Sequence, residues 1–357
     1  MFIELSTLLT ERFEAVSLLY PNNSFDESHY SVSPHVKRIP VGKVSNGITR
    51  KVLNVFLSLR EVKKLLDHDP SVISIISDPI LSIFYMVLPK RYKARTYRFV
   101  QADDYRIFDD LHVLKHSSIL AFYKKLCLKS YLDIKNLIFN SAYTYNQFKD
   151  LVPESNAANN LVQPGIDTAI FCDKKIRTIG KLNICLVARK HPWKGFVDFI
   201  DAWESLENGV KDNVGKISII SHDDLSNFTI PEIAEVIKPK SDVEISTIMN
   251  QSHIFISTSW WEGFGLPPLE AMACGCAVIS SNSKGILEYA VHGHNCITYE
   301  PKKVDQLARA MIDLLVNETL RKKLVSVGVS DAKNFSWDHT ADQFSTIIQE
   351  QTSNFSK

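Results

Sequence analysis

The sequence predicts an α/β protein of two domains, each an open and mostly parallel sheet with helices between its strands. Three observations carry this. The chain has 357 residues, which leaves room for two domains at about 150 residues each. Short apolar runs alternate with segments of helical periodicity along most of its length, the pattern of strands joined by crossover helices. That alternation is interrupted between 150 and 160, where Pro153, Ser155 and three asparagines break all periodicity, as a linker does.

Composition narrows the class without naming an activity. Hydrophobic residues make up 45% and charged residues 23%, which excludes a largely disordered chain, a collagen-like one and a small disulfide scaffold. The net charge of +1 gives no global argument for nucleic acid. It is unevenly spread: residues 1–150 hold 21 Lys+Arg against 15 Asp+Glu, and the remainder 20 against 25. The six cysteines show no CxxC spacing, and Cys274 and Cys276 have no second Cys/His pair near in sequence, so no metal is expected. Glu4, Glu11 and Arg12 interrupt the first apolar residues, unlike a secretory signal. The longest apolar run, Val72 to Leu88, is broken by Asp78 and Pro79 and is too short to span a membrane. The expectation is a reduced, cytoplasmic chain.

In order, Leu5, Leu8, Leu9 and Phe13 lie at helical spacing, and Ala15 to Tyr20 reads as a strand stopped by Pro21. Leu53 to Leu66 is a helix and Val72 to Ile76 a strand; Thr96 to Val100 and Leu137 to Phe139 are further strands, with a long helix over His112 to Asp133 between them. After the linker, Leu182 to Ala188 is a strand, Val197 to Leu206 a helix, and Ile217 to Ile220, Ile254 to Ser257 and Ala277 to Ser280 are strands. This makes two Rossmann-like domains expected to face each other across a cleft, with ligands at the carboxyl ends of the strands. Such a domain normally opens on a strand and a glycine turn. Here the chain starts within a helix, so the first domain is expected to lack its first strand: either the domain is unusual or its true start lies upstream. The expected division is 1–155, 156–335 and a C-terminal helix, 336–357.

The densest chemical signal runs from Ser259 to Ile279 and reads as strand, glycine turn, helix, strand. Gly263 and Gly265 permit a tight turn whose N–H groups approach a ligand, and Pro267 and Pro268 suit a first helical turn. A helix entered this way offers N–H donors and a partial positive charge to phosphate. Glu262 and Glu270, with seven residues between them, are placed to accept hydrogen bonds from sugar hydroxyls. A bare E-x7-E is uninformative; the Gly-Phe-Gly turn and helix entry give it weight. The second signal is the loop after the strand at 182–188, where Arg189 and Lys194 can hold a diphosphate and stabilise its charge as it leaves. His191 stands beside them, and His292 and His294 flank Gly293 with no metal-like partners.

Together, Glu262-x7-Glu270, the Gly263-Phe264-Gly265-Leu266-Pro267 turn, and Arg189 five residues before Lys194-Gly195 resemble the retaining GT-B glycosyltransferases of family GT4. Pro164-Gly-Ile-Asp167, Gly285-Ile-Leu-Glu288, Gly293-His-Asn295 and Phe335-Ser-Trp-Asp338 support the match. It extends over 161–340 and is weak over 1–150. The resemblance implies a GT-B fold and a hexosyltransferase-type enzyme (EC 2.4) using a nucleotide-sugar donor, without metal or other cofactor. Arg189 and Lys194 would bind the diphosphate and Glu270 the ribose hydroxyls. Glu262, with the turn from Gly263 to Leu266, would touch sugar and phosphate. The acceptor would be a glycan or lipid-linked glycan, the setting cell-surface polysaccharide such as lipopolysaccharide, and the last helix would cross back to the first domain. Two other readings keep the fold: a sugar-nucleotide epimerase, and a non-catalytic sugar-nucleotide-binding protein.

In the first domain, Gln101 and Asp103 follow a strand and are the acceptor-side candidates. Lys90 to Arg98 mixes cations with aromatics, a pattern also met in nucleic-acid binders; no nucleic-acid partner is expected. The stretch from His112 to Lys135 sets Lys115, Lys124, Lys125, Lys129 and Lys135 beside Leu114, Ile119, Leu120, Phe122 and Leu126. A basic amphipathic helix can rest on an anionic membrane surface, and a solvated helix face is the plainer alternative. The localisation expected is cytoplasmic, peripheral on the inner face of the plasma membrane.

Overall fold

The computed structural model describes residues 2–21, 32–42, 48–102, 118–133, 135–153 and 160–355. The chain forms two compact units, Met1–Gln163 with Thr340–Lys357, and Pro164–His339.

The first unit runs α1 (Phe2–Leu9), β1 (Val16–Pro21), β2 (Val36–Val41), α2 (Ile48–His68), β3 (Ser74–Ile76), α3 (Pro79–Tyr85), α4 (Lys90–Lys93), β4 (Thr96–Val100), α5 (Ser118–Asp133), β5 (Asn136–Phe139) and α6 (Ala142–Leu151). Its described strands form two parallel sheets, β1-β2 and β3-β4-β5. Local chemistry sets the helix starts. Asp78 accepts from the Leu81 N–H with Pro79 in the first turn, and Ser141 accepts from the Thr144 N–H, two ordinary N-caps. Tyr97 and Phe99 of β4 and Ile138 of β5 are fully buried, with Leu5 and Leu9 of α1 in the same core. The last helix, α13 (Trp337–Phe355), adds Phe344 and Ile348 to it. Phe344 meets Phe99 edge-on at 5.9 Å, and Asp342 pairs with Arg12 at 2.7 Å.

The division differs from 155 and 335 for a hydrogen-bonding reason. Phe139 N–H donates to the Asn160 carbonyl and Val162 N–H to the Phe139 carbonyl, both at 2.8 Å. The segment at 160–162 therefore extends along β5 and stays with the first unit. At the other end Ile166 bridges Ser336, keeping 336–339 in the second. The strand expected from Val72 begins only at Ser74. The helix expected from His112 is described from Ser118 onward; residues 112–117, with Leu114 and Lys115, lie outside the described residues.

The second unit holds β6 (Leu182–Val187), α7 (Phe196–Glu204), α8 (Asn208–Lys211), β7 (Val214–Ile220), β8 (Ala234–Ile237), α9 (Asp242–Gln251), β9 (Ile254–Ser257), α10 (Leu266–Ala273), β10 (Ala277–Ser281), β11 (Ile297–Tyr299), α11 (Val304–Val316) and α12 (Glu318–Ala332). Its sheet is six-stranded and parallel throughout, in the order β11-β10-β9-β6-β7-β8. Strand alternation divides its core between two faces. Ile184, Leu186, Ile254, Ile256 and Ile279 pack with Phe199, Trp203 and Leu314 on one. Cys185, Phe255 and Val278 pack with Met249, Leu269 and Met272 on the other. Being covered on both faces, β6, β9 and β10 are nearly continuous apolar runs, as buried parallel strands must be.

From β6 the chain builds outward to β7 and β8, then returns to place β9 on the opposite side of β6. The sheet order reverses between β6 and β9, with Ile184 opposite Ile254 and Leu186 opposite Ile256. At such a reversal the loops leaving the two strands diverge and open a crevice for ligands.

Candidate functional site

The loops at this reversal are 188–195 after β6 and 258–265 after β9, the two stretches that the sequence marks for chemistry. They are laced together by backbone. Trp260 N–H donates to the Trp193 carbonyl at 2.7 Å, and the Thr258 hydroxyl donates to the Lys194 carbonyl at 2.9 Å. Gly195 closes the turn at φ 63°, a left-handed conformation that favours glycine. A Cβ there would lie 2.1 Å from the Thr258 carbonyl oxygen, so no other residue permits this approach.

The lacing sets Lys194 Nζ 2.6 Å from Glu262 Oε1, with both side chains about one-quarter exposed. Arg189 lies 3.8 Å from Asp223, in the loop after β7. Asp223 also accepts from the Lys190 N–H at 3.0 Å. That backbone bond, and then the Arg189 and Lys190 charges, hold the Asp223 carboxyl below its usual pKa. His191 does not point alone into solvent: it stacks on Trp193 at 4.7 Å, and Trp193 stacks on Trp261 at 5.9 Å.

The glycine turn behaves as its sequence demands. Gly265 takes φ 85° as the residue before α10, and a Cβ there would sit 2.8 Å from Ile286. The Tyr289 hydroxyl donates to the Gly265 carbonyl. Phe264 is buried and packs with Tyr289 and Phe335, so its side chain anchors the turn and only its backbone is left for a ligand. The donor supply of α10 is thinner than its position suggests. Pro267 and Pro268 have no N–H, so among its first four residues only Leu266 and Leu269 do.

Glu270 lies in the second turn of α10. It keeps some accessible surface, yet burial, followed by the nearby Asp242 carboxylate, pushes its pKa up to about 8. A carboxyl in that state is poorly solvated, and ligand hydroxyl donors would supply what water does not.

Several residues that matter here carry no motif. Asp198 of α7 is buried and accepts from the Trp260 indole N–H at 2.7 Å. Burial raises its pKa, opposed by that bond and by Lys302. Lys302 in turn places its ammonium 3.9 Å from the Trp260 ring centroid. Asp198 thus holds the outer wall of the 258–262 loop from behind. An acid in the first turn of a helix is common enough that sequence gave no reason to single it out.

The remaining candidates separate. Gln101 is partly buried, with its carbonyl accepting from Asn140 at 2.8 Å; Asp103 lies outside the described residues. His292 Nδ1 accepts from the Thr298 N–H, and His294 lies 3.6 Å from Asp331. Cys274 and Cys276 are buried core residues. Among the described residues no cluster of His, Cys, Asp and Glu could hold a metal ion.

Residues 173–328 match the model of glycosyl transferases group 1. This span includes both laced loops, Glu262 and Glu270. An uncharacterised glycosyltransferase of Methanocaldococcus jannaschii is 29% identical over 189 residues, 50% of this chain and 48% of that protein. The serotype-specific mannosyltransferase WbdA of Escherichia coli is 34% identical over 113 residues, 30% of this chain and 14% of that protein. The chain spans about half, or less, of the length of these relatives. Among solved structures, sucrose-phosphate synthase from Thermosynechococcus elongatus superposes with a TM-score of 0.79 at 13% identity, covering 98% of this chain and 92% of that one. WaaG, a glycosyltransferase involved in lipopolysaccharide biosynthesis, does so at 0.75 and 14%, covering 97% and 94%. At such identity these likenesses show the fold alone. The chain has the two-unit α/β fold of GT-B proteins.

Proposed function

We propose that this protein is a retaining GT-B glycosyltransferase of family GT4, moving a sugar from a nucleotide-sugar donor to a glycan or lipid-linked glycan during cell-surface polysaccharide synthesis. One observation carries the reading. The sheet reversal brings a two-cation loop, Arg189 and Lys194, against a glycine turn flanked by Glu262 and Glu270, all inside the span that matches glycosyl transferases group 1. The relatives named for mannosyl transfer and lipopolysaccharide biosynthesis support the choice of setting, and the neighbour HepE of Anabaena, solved with UDP and glucose, supports a nucleotide-sugar donor.

On this reading Arg189 and Lys194 bind the donor diphosphate, and the backbone from Gly263 to Leu266 approaches phosphate and sugar. Glu270 accepts from the ribose hydroxyls, and Glu262 orients Lys194 and meets the sugar. No metal takes part. The acceptor hydroxyl attacks the anomeric carbon on the face from which the nucleotide departs. The bond to the diphosphate breaks as the new glycosidic bond forms, and a phosphate oxygen takes the acceptor proton. Gln101 and Asp103 belong to the acceptor side. Cationic side chains facing the leaving diphosphate would supply most of the transition-state stabilisation.

A thermal-shift screen against UDP, GDP, dTDP, ADP and CMP, with and without attached sugars, tests this directly. The expected result is a saturable shift with one nucleotide class that is lost in Arg189→Ala. Flat curves with every nucleotide would overturn the donor assignment.

For localisation we propose a cytoplasmic protein resting on the inner face of the plasma membrane through α5. This helix carries Lys124, Lys125 and Lys129 and leaves Phe122 and Leu132 exposed, and charged and apolar groups together favour an anionic interface. No helix among the described residues is long and apolar enough to cross a membrane. Vesicle pelleting that is indifferent to anionic lipid content would remove the proposal.

A further inference from the structure

The site as described is short of positive charge. Arg189 and Lys194 are the cations expected to hold a diphosphate, yet each faces an acid, Asp223 at 3.8 Å and Glu262 at 2.6 Å. These four side chains sum to no net charge. A nucleoside diphosphate carries at least two negative charges at neutral pH, so further uncompensated cations are needed where it binds.

One lysine stands beside this cluster in a costly conformation. Lys284 has φ 70° and ψ −59°, a γ-turn with positive φ that is rare and strained for any residue but glycine. The turn is closed by Gly285 N–H on the Ser283 carbonyl at 2.9 Å. It is pinned to the site from both sides, by Glu262 N–H on the Ser283 carbonyl at 2.9 Å and by Gly285 N–H on the Glu262 carbonyl at 3.2 Å. Lys284 and Glu262 are bridge partners, which places their α-carbons about 5 Å apart. The approach is so close that a Cβ on Gly285 would fall 2.4 Å from the Glu262 carbonyl oxygen. Within the same turn the Ser283 hydroxyl is fully buried and has no hydrogen-bond partner, nor has Asn282 Oδ1. Lys284 itself is exposed, and its ammonium makes no ion pair among the described residues.

A lysine where glycine would be free of strain, locked to the residue that engages Lys194, is a feature that folding alone does not explain. We propose that Lys284 is a phosphate-binding residue: its ammonium contributes uncompensated charge toward the diphosphate of a nucleoside diphosphate at the β6–β9 reversal. This rests on the nucleotide-sugar reading above and adds a residue to it.

The test uses the full chain and measures affinity for UDP, GDP and ADP, for the matching monophosphates and for the nucleosides, by calorimetry at fixed salt. Lys284→Gln keeps a polar side chain, one atom shorter, and the strained backbone but removes the charge. It is expected to weaken binding of the preferred diphosphate about tenfold, as loss of a charge-assisted bond does, and to leave the nucleoside within twofold. Lys284→Arg should stay within threefold of the parent. Lys284→Gly removes both strain and charge. It should raise Tm by about 2–4 °C while binding the diphosphate as weakly as the glutamine variant, a combination that a merely structural lysine would not produce. Diphosphate affinity unchanged in Lys284→Gln and Lys284→Gly, with the parent chain binding normally, would overturn the role of Lys284 and leave the donor reading standing. A parent chain that binds no diphosphate would overturn both.

Discussion

Lys194 Nζ lies 2.6 Å from Glu262 Oε1, joining the loop after β6 to the loop after β9 by a charge pair across the point where the sheet order reverses. Before any ligand arrives, Glu262 holds the ammonium in place. A diphosphate entering the site would compete for that ammonium, so the pair acts as a preset position and contributes little to stability.

This predicts that Lys194→Ala lowers turnover far more than stability. Loss of a cation facing the leaving diphosphate should raise the barrier by about 2–4 kcal/mol. The pair is about one-quarter exposed, so its loss should change folding by less than about 1 kcal/mol. Steady-state kinetics beside a urea melt of the same variant would show it; a large loss of unfolding free energy with near-normal kcat would reverse the assignment.

Arg189→Ala should behave similarly in turnover, because Arg189 is held only loosely by Asp223 at 3.8 Å and is free to move toward a ligand. Asp223→Asn gives the contrast. It removes the charge facing Arg189 while keeping an acceptor for the Lys190 N–H, and diphosphate affinity should rise slightly. An unchanged kcat/KM in Arg189→Ala would exclude it from the site.

Glu270 makes a prediction about pH. Its pKa is raised to about 8 by burial and by Asp242, against an unfolded value near 4.5. Between those values the folded chain holds a proton that the unfolded chain has lost. Stability should therefore fall as pH rises through this window, with a slope of at most about 1.4 kcal/mol per pH unit from this group. Glu270→Gln should flatten the fall in Tm from pH 5 to pH 8 and weaken binding of nucleotide more than of inorganic diphosphate. Parallel Tm profiles for parent and variant would show that Glu270 does not titrate there.

The sequence made the second unit legible for a physical reason. Strands covered on both faces must be apolar throughout, and turns such as Gly195 and Gly265 admit no other residue, so β6, β9, β10 and both loops could be read directly. It was less informative in the first unit. There β3 is three residues long, and residues 160–162 lie against β5 with little apolar pattern to reveal it. Relationships through space left no trace either. Arg189, Lys194 and Glu262 were each visible, but their partition into pairs with Asp223 and with each other depends on which loops the sheet order places side by side. Asp198 lies three residues past Gly195, yet its tie to Trp260, like that of Lys302, runs through space and carries no sequence signal.

That last contact gives a prediction separable from direct ligand binding. Asp198 is buried, accepts from the Trp260 indole N–H at 2.7 Å, and lies behind the turn where Gly195 meets Thr258. Asp198→Ala leaves the indole N–H without its acceptor in a site closed to water, at a cost of about 1–3 kcal/mol. It also releases the loop whose Trp260 N–H fixes the Trp193 carbonyl. Lys194 is the next residue, so its ammonium should lose its position. Asp198→Asn keeps an oxygen acceptor for the indole and should restore most of the stability. Asp198 thus positions Lys194 and touches no ligand, and the two variants should part in kinetics as well. Asp198→Ala should reduce kcat severalfold even at saturating donor and at a temperature where it is fully folded, with Asp198→Asn recovering most of it. If both variants kept the parent kcat while folded, the network behind Trp260 would be a stability element only.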